Sequence, residues 1–260
     1  MPHPFLPMPS PLRIALAGTG RMGTAVEAVA QERGHAVVAR FDADTPLLAG
    51  RDPAVLHGAD VVIDFSVPDV ALDQIHQACF WGVDAVIGTT GWTDGLPRVR
   101  EWVEEGQNGV LWAPNFSLGV ALVVRALRGM LPLLNRLDDY DAAVHEVHHT
   151  GKVDSPSGTA LRLAEELLAG LDRKARVEPE TQHGRIEPDA LHVTSQRLGH
   201  VFGDHTVTLD SAVDQIEIVH RAKDRRAFAL GAVRAAEWVV GRQGLFTLDD
   251  WLADWLGESA

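Results

Sequence analysis

A glycine-rich turn near the N-terminus places the strongest constraint on the fold. The segment Gly18-Thr19-Gly20-Arg21-Met22-Gly23 follows a β-rich run at residues 12–17 and opens a helical pattern at residues 22–33. G-x-G-x-x-G spacing lets the backbone approach a pyrophosphate, to which the next helix offers N–H groups and partial positive charge. Glycine-rich turns are common, but this strand–turn–helix context predicts that all six residues bind a dinucleotide.

Apolar runs alternate with helical patterns through the first half of the chain. Strands are expected at residues 36–41, 59–65, 85–87 and 109–112, and helices at residues 72–81 and 97–105. Strands separated by helices form parallel, doubly wound sheets. The sequence therefore predicts an α/β protein with an N-terminal Rossmann-type parallel-sheet domain, residues 1–117, that binds a dinucleotide.

The order of elements changes after residue 117. Helices are expected at residues 118–134 and 157–171, and strands at residues 141–148, 192–197, 205–211 and 214–221. This pattern, rich in antiparallel candidates, predicts a second α+β domain over residues 118–226. A helical tail, residues 227–260, is expected to return to the first domain.

Composition narrows the choice of partners and location. The net charge of −13 disfavours a nucleic-acid partner. The sequence contains no run of about 18 or more apolar residues, so no membrane span is expected. The proline-rich leader lacks the basic region of a secretory signal. The single cysteine, Cys79, has apolar neighbours and is interpreted as a buried structural thiol, so a cytoplasmic location is expected.

An acidic residue ends the second predicted strand. Asp42 lies 19 residues after Gly23, where a carboxylate can bind the ribose hydroxyls of NAD. It would repel the 2′-phosphate of NADPH, so NADH is expected to be preferred, although Arg21 and Arg40 leave NADPH use open. Two loops at later strand ends supply further candidate cofactor contacts, with ordinary loops as the alternative: Gly88, Thr89, Thr90, Ala113, Pro114, Asn115 and Phe116.

Residues 145–149 spell H-E-x-x-H, the helix signature of zinc peptidases. The surrounding sequence is β-rich and is interrupted by Gly151, which predicts a strand. On a strand, His145 and His149 would lie about 13 Å apart, four residues at about 3.3 Å each. One zinc ion binds its ligands at about 2.1 Å, so no metal site is expected here.

A longer pattern, from Glu146 to Ala160, indicates a strand end, a polar loop and a helix start. Ser155 or Ser157 can cap the helix, and Pro156 suits an early helical position. Gly158 and Thr159 would then offer free N–H groups to a carboxylate at the helix N-terminus.

Three side chains before that helix can carry charge near neutral pH. Lys152 is a mobile cation, and His148 and His149 titrate close to neutrality. Together with the helix start they predict a site for a small anion that gains or loses a proton. The alternative is a capped helix with surface histidines.

These motifs resemble those of the 4-hydroxy-tetrahydrodipicolinate reductase family over nearly the whole chain. The resemblance rests on the nucleotide turn, I-D-F-S at 63–66, I-G-T-T-G at 87–91, A-P-N-F-S at 113–117, H-H-x-x-K-x-D-x-P-S-G-T-A at 148–160, and R-L-G…G-D-H-T at 197–206. It implies NAD(P)H-dependent reduction of 4-hydroxy-tetrahydrodipicolinate, a small dicarboxylate, to tetrahydrodipicolinate in the diaminopimelate route to lysine. It also implies that the second domain, residues 118–226, binds the substrate and assembles a homotetramer through its sheet.

The resemblance assigns roles residue by residue. It implies that His148 is the acid/base residue and Lys152 the proton donor, that His149, Gly158 and Thr159 bind the substrate carboxylates, and that the cofactor contacts are those named above. Two departures concern the cofactor. Many members have glycine where this chain has Ala17, and members that use both cofactors often have arginine where Ala43 follows Asp42. The second departure favours NADH.

Three other functions stay open. A different nicotinamide dehydrogenase, such as an amino-acid dehydrogenase, could share the two-domain build. A zinc hydrolase would follow from H-E-x-x-H. A non-catalytic regulator that senses NAD would bind nucleotide without turnover.

Overall fold

A computed structural model describes residues 10–47 and 52–257. Most of the N-terminal leader expected from the sequence lies outside the described residues. The chain divides into two compact units. The first contains the described residues up to Ser117 and those from Arg225 onward, and the second runs from Leu118 to Asp224. The sequence placed the second boundary two residues later, at 226/227.

The first unit is built on a six-stranded parallel sheet. The strands are β1 (Arg13–Ala17), β2 (Ala36–Phe41), β3 (Val61–Asp64), β4 (Asp84–Ile87), β5 (Gly109–Trp112) and β11 (Gly244–Thr247), in the spatial order β11-β5-β4-β3-β1-β2. The helices are α1 (Arg21–Glu32), α2 (Pro68–Phe80), α3 (Leu96–Gly106), α6 (Arg226–Val239) and α7 (Leu248–Leu256). The predicted Rossmann-type sheet is confirmed.

Strand β1 shows why the sheet forms the core of this unit. Ile14, Ala15, Leu16 and Ala17 are all at most 2% exposed, so both faces of the strand are covered. Parallel sheets need this double cover, and their strands are therefore continuously apolar rather than alternating. The carboxyl ends of parallel strands meet at one edge, which gathers the loops after β1, β2, β3, β4 and β5.

The C-terminal tail differs from its prediction. Its first part is the expected helix α6, but Gly244–Thr247 forms strand β11, which pairs in parallel with β5. Thr247 and Asp250 then form a reciprocal capping box that begins α7. The sequence L-F-T-L-D-D-W-L has helical spacing, and the strand depends on pairing with a partner more than 130 residues away.

The second unit carries a mixed five-stranded sheet. The strands are β6 (Asp141–His148), β7 (Arg176–Glu178), β8 (Ala190–Arg197), β9 (Asp204–Asp210) and β10 (Gln215–Arg221), in the order β10-β9-β6-β8-β7. Helices α4 (Leu118–Leu134) and α5 (Gly158–Gly170) pack on this sheet. Their core includes the buried side chains of Leu127, Val144, Leu163, Leu167 and Val207.

The sequence correctly indicated an α+β unit but missed part of its pairing. Strands β9 and β10 are antiparallel, as expected, whereas β8 pairs in parallel with both β6 and the unpredicted β7. The chain crosses over through α5 before it reaches β8, and this crossover sets the direction of β8. The alternation of buried and exposed residues within one strand cannot reveal that direction. No helix in the described parts of the chain is long and apolar enough to cross a membrane.

Candidate active site

The nucleotide turn, residues 18–23, contains three glycines, and the surroundings of each one differ. Gly18 has φ +88°, and a Cβ there would lie 2.4 Å from the Phe65 carbonyl oxygen. At Gly23 a Cβ would lie 2.0 Å from the carbonyl oxygen of Gly18, so glycine lets α1 pack against the turn. A Cβ on Gly20 would meet no protein atom within 4 Å. Packing therefore does not require Gly20, and its bare backbone faces space that a ligand can fill.

The start of helix α1 suits an anion. Its N-cap is Gly20, no side chain caps it, and no acidic residue lies in its first turn. Uncapped N–H groups and the helix dipole favour a negative group at this position. Arg21 is the exposed first residue of α1.

A cavity of about 530 Å³ opens beside this helix start. Its lining comes from the ends of β1, β2 and β3, the loops that follow them and helix α2: Gly18, Thr19, Gly20, Phe41, Asp42, Ala43, Pro46, Phe65, Ser66, Val67, Val70 and Gln74. Cofactor pockets commonly have this size, with apolar walls and a few polar groups. The cavity and the open space at Gly20 fit a dinucleotide.

Asp42 lies in the lining of this cavity, directly after β2. Its Oδ1 accepts hydrogen bonds from the backbone N–H groups of Asp44 (3.0 Å) and Thr45 (2.9 Å) and from the Thr45 hydroxyl (2.9 Å). These bonds, chiefly those from Thr45, lower the pKa of Asp42, so the carboxylate stays charged. Arg40, the basic residue considered for NADPH, forms an ion pair with Glu27.

The loops after β3 and β4 are joined by a buried carboxylate that the sequence interpretation did not single out. Oδ1 of Asp64 accepts hydrogen bonds from the backbone N–H of Ser66 (2.7 Å) and the hydroxyl of Thr89 (3.0 Å). Burial raises the pKa of Asp64 despite these bonds. The side chain of Thr89 is thus turned inward, while Thr90 is exposed. Gly88 admits the Phe65 ring, which a Cβ would meet at 2.1 Å.

The loop after β5 completes this edge of the sheet. Phe116 is buried and packs edge-to-face on Phe65, with ring centroids 6.0 Å apart. Ala113 is buried and Pro114 is exposed, and Asn115 accepts the Ser117 N–H at 2.8 Å. All the predicted cofactor residues thus belong to loops at the carboxyl edge of the sheet or to the start of α1.

Strand β6 separates the residues of the apparent zinc motif. Along β6, Val144, Glu146 and His148 are buried, whereas His145 is exposed on the opposite face and its Nδ1 lies 2.7 Å from the Thr194 hydroxyl. His145 and Glu146 therefore point to opposite sides of the sheet. The strand predicted from the β-rich sequence is observed, and it removes the helix on which the zinc interpretation depends.

The buried face of β6 gathers a polar cluster through strand register. Glu146 lies opposite His205 on β9, and His148 lies opposite Arg197 on β8. Glu146 is fully buried and bonds Nδ1 of His148, while its Oε1 accepts from Arg197 Nη1 at 3.0 Å. Burial lowers the pKa of His148, and the nearby charges of Lys152 and Arg197 lower it further, although Glu146 opposes them.

The start of helix α5 contacts the same cluster. Ser157 is the N-cap, and its hydroxyl accepts from the Ala160 N–H at 3.2 Å. That hydroxyl also lies 3.2 Å from Nε2 of His205. The ring of His205 stacks edge-on against His148 with centroids 5.2 Å apart, and burial lowers its pKa to about 4. Of the two predicted caps Ser157 is the actual one, and Pro156 precedes it instead of entering the helix.

The loop between β6 and α5 already binds a carboxylate. Nζ of Lys152 forms an ion pair with Asp154 at 2.8 Å. Gly158 is the exposed first residue of α5, and its expected role as an anion ligand stays a prediction. Thr159 is half-buried in the first turn of α5, and His149 is half-buried at the start of the loop.

Comparison with known proteins identifies the family. Residues 12–116 match the model of the N-terminal part of dihydrodipicolinate reductase, and residues 119–252 match that of its C-terminal part. The chain belongs to the dihydrodipicolinate reductase family. The 4-hydroxy-tetrahydrodipicolinate reductase of Christiangramia forsetii is 37% identical over 94% of this chain and 98% of its own length. That of Chromobacterium violaceum is 38% identical over 91% and 96%, respectively.

Solved structures agree on the fold. A dipicolinate-bound dihydrodipicolinate reductase from Paenisporosarcina sp. TG-14 superimposes with a TM-score of 0.73 at 20% identity, covering 91% of this chain and 97% of its own. The resemblance to the reductase family is confirmed, and the chain is an oxidoreductase of the reduction step in lysine and diaminopimelate biosynthesis.

Within the second unit, several residues that the sequence interpretation missed or set aside lie beside His148. Glu146 was discarded with the zinc motif. Arg197, Gly203 and His205 belonged to a recognised motif but received no role. Only the pairing of β6 with β8 and β9 brings them beside His148, and that pairing is not local in sequence.

Proposed function

We propose that this protein reduces 4-hydroxy-tetrahydrodipicolinate to tetrahydrodipicolinate with NADH. The carrying observation is the ion pair between Lys152 Nζ and the Asp154 carboxylate, in the loop that leads to the start of α5. An ammonium that binds an internal carboxylate beside a helix N-terminus can bind one from a dicarboxylate substrate in the same way. This local positive charge offsets the net charge of −13.

Proton transfer is assigned to His148 and Lys152. His148 is neutral near pH 7, because its pKa lies below the ordinary value, so it can take up a proton and return it. Lys152 is half-buried at the same loop and carries a proton that it can donate. His149, Gly158 and Thr159 are assigned to the substrate carboxylates. Each of these roles is supported by position and by family resemblance.

The cofactor proposal is NADH in preference to NADPH. NADH, when bound, supplies the hydride for the reduction. The turn at residues 18–23 and the uncapped start of α1 suit the pyrophosphate, and the charged Asp42 carboxylate suits the ribose hydroxyls and opposes a 2′-phosphate. Arg40 is engaged by Glu27, which weakens its case as a phosphate ligand. Arg21 keeps NADPH use open.

A cytoplasmic homotetramer completes the proposal. Cys79 is buried, and burial raises the pKa of its thiol to about 11, which suits a structural thiol in a reducing compartment. Strand β10 lies at the edge of the second sheet and exposes Ile216, an apolar side chain that a second copy could cover. Analytical ultracentrifugation measures the assembly, and a monomer at micromolar concentration would contradict it.

Separate substitutions test the catalytic roles. We expect His148→Gln and Lys152→Ala each to lower kcat by about 10²-fold or more, the usual worth of a general acid or base. Near wild-type turnover in both variants would contradict the proton-transfer assignment. Activity on oxaloacetate with ammonia in place of the proposed substrate would instead indicate an amino-acid dehydrogenase.

A further inference from the structure

Glu146 is the most enclosed charged side chain of the β6 cluster. It is 0% exposed, and both of its carboxylate oxygens are used. Oε2 bonds His148 Nδ1, and Oε1 accepts from Arg197 Nη1 at 3.0 Å and from the Ser157 backbone N–H at 3.3 Å. One carboxylate thereby connects the end of β6, the end of β8 and the start of α5. The proposed function gives this residue no role.

The protonation states of the pair settle which ring nitrogen carries the proton. Burial raises the pKa of Glu146, but the side chains of Ser195, His148 and Arg197 together outweigh burial and hold the pKa below its ordinary value. The pKa of His148 is also lowered, by burial first. Near neutral pH the pair is therefore a carboxylate beside a neutral imidazole. A carboxylate only accepts hydrogen bonds, so Nδ1 must be the protonated nitrogen and Nε2 must carry the lone pair.

Gly203 leaves space beside Nε2 of His148. A Cβ added at Gly203 would lie 2.9 Å from this nitrogen, so a side chain at that position would press on it. Gly203 also has φ +147°, a conformation that other residues rarely adopt. Two structural reasons therefore favour glycine at this position: the backbone conformation and the space beside Nε2.

We propose that Glu146 is a positioning residue that holds His148 in the Nδ1–H tautomer and thereby presents Nε2 for proton exchange. Arg197 and the Ser157 N–H fix the carboxylate in turn. When Nε2 takes up a proton, the resulting imidazolium is stabilised by the adjacent carboxylate, as in other carboxylate–histidine pairs. The catalytic role of His148 in this inference rests on the proposed function. The assignment of the Nδ1–H tautomer does not depend on it.

Several charged or titratable groups face His148 from the elements packed around it. Lys152 and Arg197 disfavour a second proton on the ring, and Glu146 favours it. His205 on β9 lies edge-on and is neutral, with a pKa of about 4. Of these groups Glu146 alone favours the imidazolium, so its removal is expected to lower the pKa of His148 further and to shift the pH profile of kcat toward lower pH.

Nitrogen-15 NMR of the histidine side chains tests the tautomer in the ligand-free wild-type protein. The signals of His148 are assigned by their loss in His148→Gln. We expect a protonated, pyrrole-type Nδ1 and an unprotonated, pyridine-type Nε2 near pH 7. The reverse pattern, with the proton on Nε2, would overturn the proposal whether or not any variant folds.

Substitution of Glu146 tests the consequence for turnover. We expect Glu146→Gln to give a mixture of tautomers, to lower kcat by about 10²-fold with KM changed only a few-fold, and to shift the pH profile. The matched control is Glu166→Gln on α5, which removes a carboxylate paired with Arg128 and Arg162 away from the cluster. The control is expected to keep both the tautomer and kcat.

The possible failures are distinguishable. Loss of kcat in Glu146→Gln with an unchanged tautomer and an unchanged pH profile would reduce Glu146 to a structural role and overturn the inference. Absence of substrate-dependent NADH oxidation by the wild-type protein would overturn the proposed function instead. The NMR pattern is measured without substrate and is decided independently of that result.

Discussion

The two glycines at the start of helix α1 should respond in opposite ways to an added methyl group. Gly23→Ala places a Cβ 2.0 Å from the Gly18 carbonyl oxygen, about 1.4 Å short of the 3.4 Å at which ordinary contact begins. The obstacle is backbone and cannot rotate away, so the cost should lie near the upper end of the usual overpacking range, about 3 kcal/mol. Alanine regains about 1 kcal/mol of helix propensity, which leaves about 2 kcal/mol of destabilisation.

Gly20→Ala is the matched comparison. No protein atom lies within 4 Å of its added Cβ, and its φ of −70° suits alanine. The weaker N-cap should cost less than about 1 kcal/mol. The methyl group would, however, enter the space assigned to the pyrophosphate. Loss of one hydrogen bond to that charged group, about 1.5–3 kcal/mol, corresponds to roughly 10- to 150-fold weaker NADH binding.

Thermal unfolding and NADH titration by fluorescence separate the two effects. At about 2–4 °C per kcal/mol for a chain of this size, we expect Gly23→Ala to lower Tm by roughly 4–8 °C. Gly20→Ala should leave Tm within a few degrees while raising the Kd for NADH. If Gly20→Ala bound NADH like the wild-type protein, the turn at residues 18–23 would not hold the pyrophosphate. An unchanged Tm for Gly23→Ala would refute the packing argument.

Two further predictions concern charge. Asp42→Asn keeps the oxygen that accepts from Thr45 but removes the charge. In steady-state assays KM for NADH should therefore rise by about tenfold, whereas KM for NADPH should fall or stay constant. Equal increases of both KM values would show that Asp42 does not bind the ribose. His205 has a folded pKa of about 4, below the ordinary 6.5, so only the unfolded chain gains this proton as the pH falls between these values. The free energy of unfolding should therefore fall by up to about 3 kcal/mol across that window, measured by denaturant titration, and this loss should be absent in His205→Asn.

Local pattern predicts the structure well where the structure is itself local. Helix α4 and strand β6 have the bounds expected from the sequence, because their apolar periodicity extends over 17 and 8 residues. The same periodicity places Glu146 and His148 on one face of β6 and His145 on the other. The alternation of residues along the strand is therefore sufficient by itself to reject the zinc interpretation.

What the sequence did not reveal depends on partners distant along the chain. Strand β11 has four residues and is recognisable only beside β5. The engagement of Glu146 by Arg197 requires the parallel register of β6 with β8. The ion pair of Lys152 with Asp154 was missed for a different reason, since a loop carboxylate competes with any external anion for the same cation and spacing alone does not show which one binds.

A coupled assay tests the reductase assignment most directly. Purified protein is mixed with NADH and with the enzyme that forms 4-hydroxy-tetrahydrodipicolinate from its precursors, and nicotinamide absorbance is followed with and without that enzyme. We expect rapid NADH oxidation only in the complete mixture, and oxidation at least about 10²-fold slower in Lys152→Ala. No oxidation in the complete mixture, or an equal rate in Lys152→Ala, would contradict the assignment.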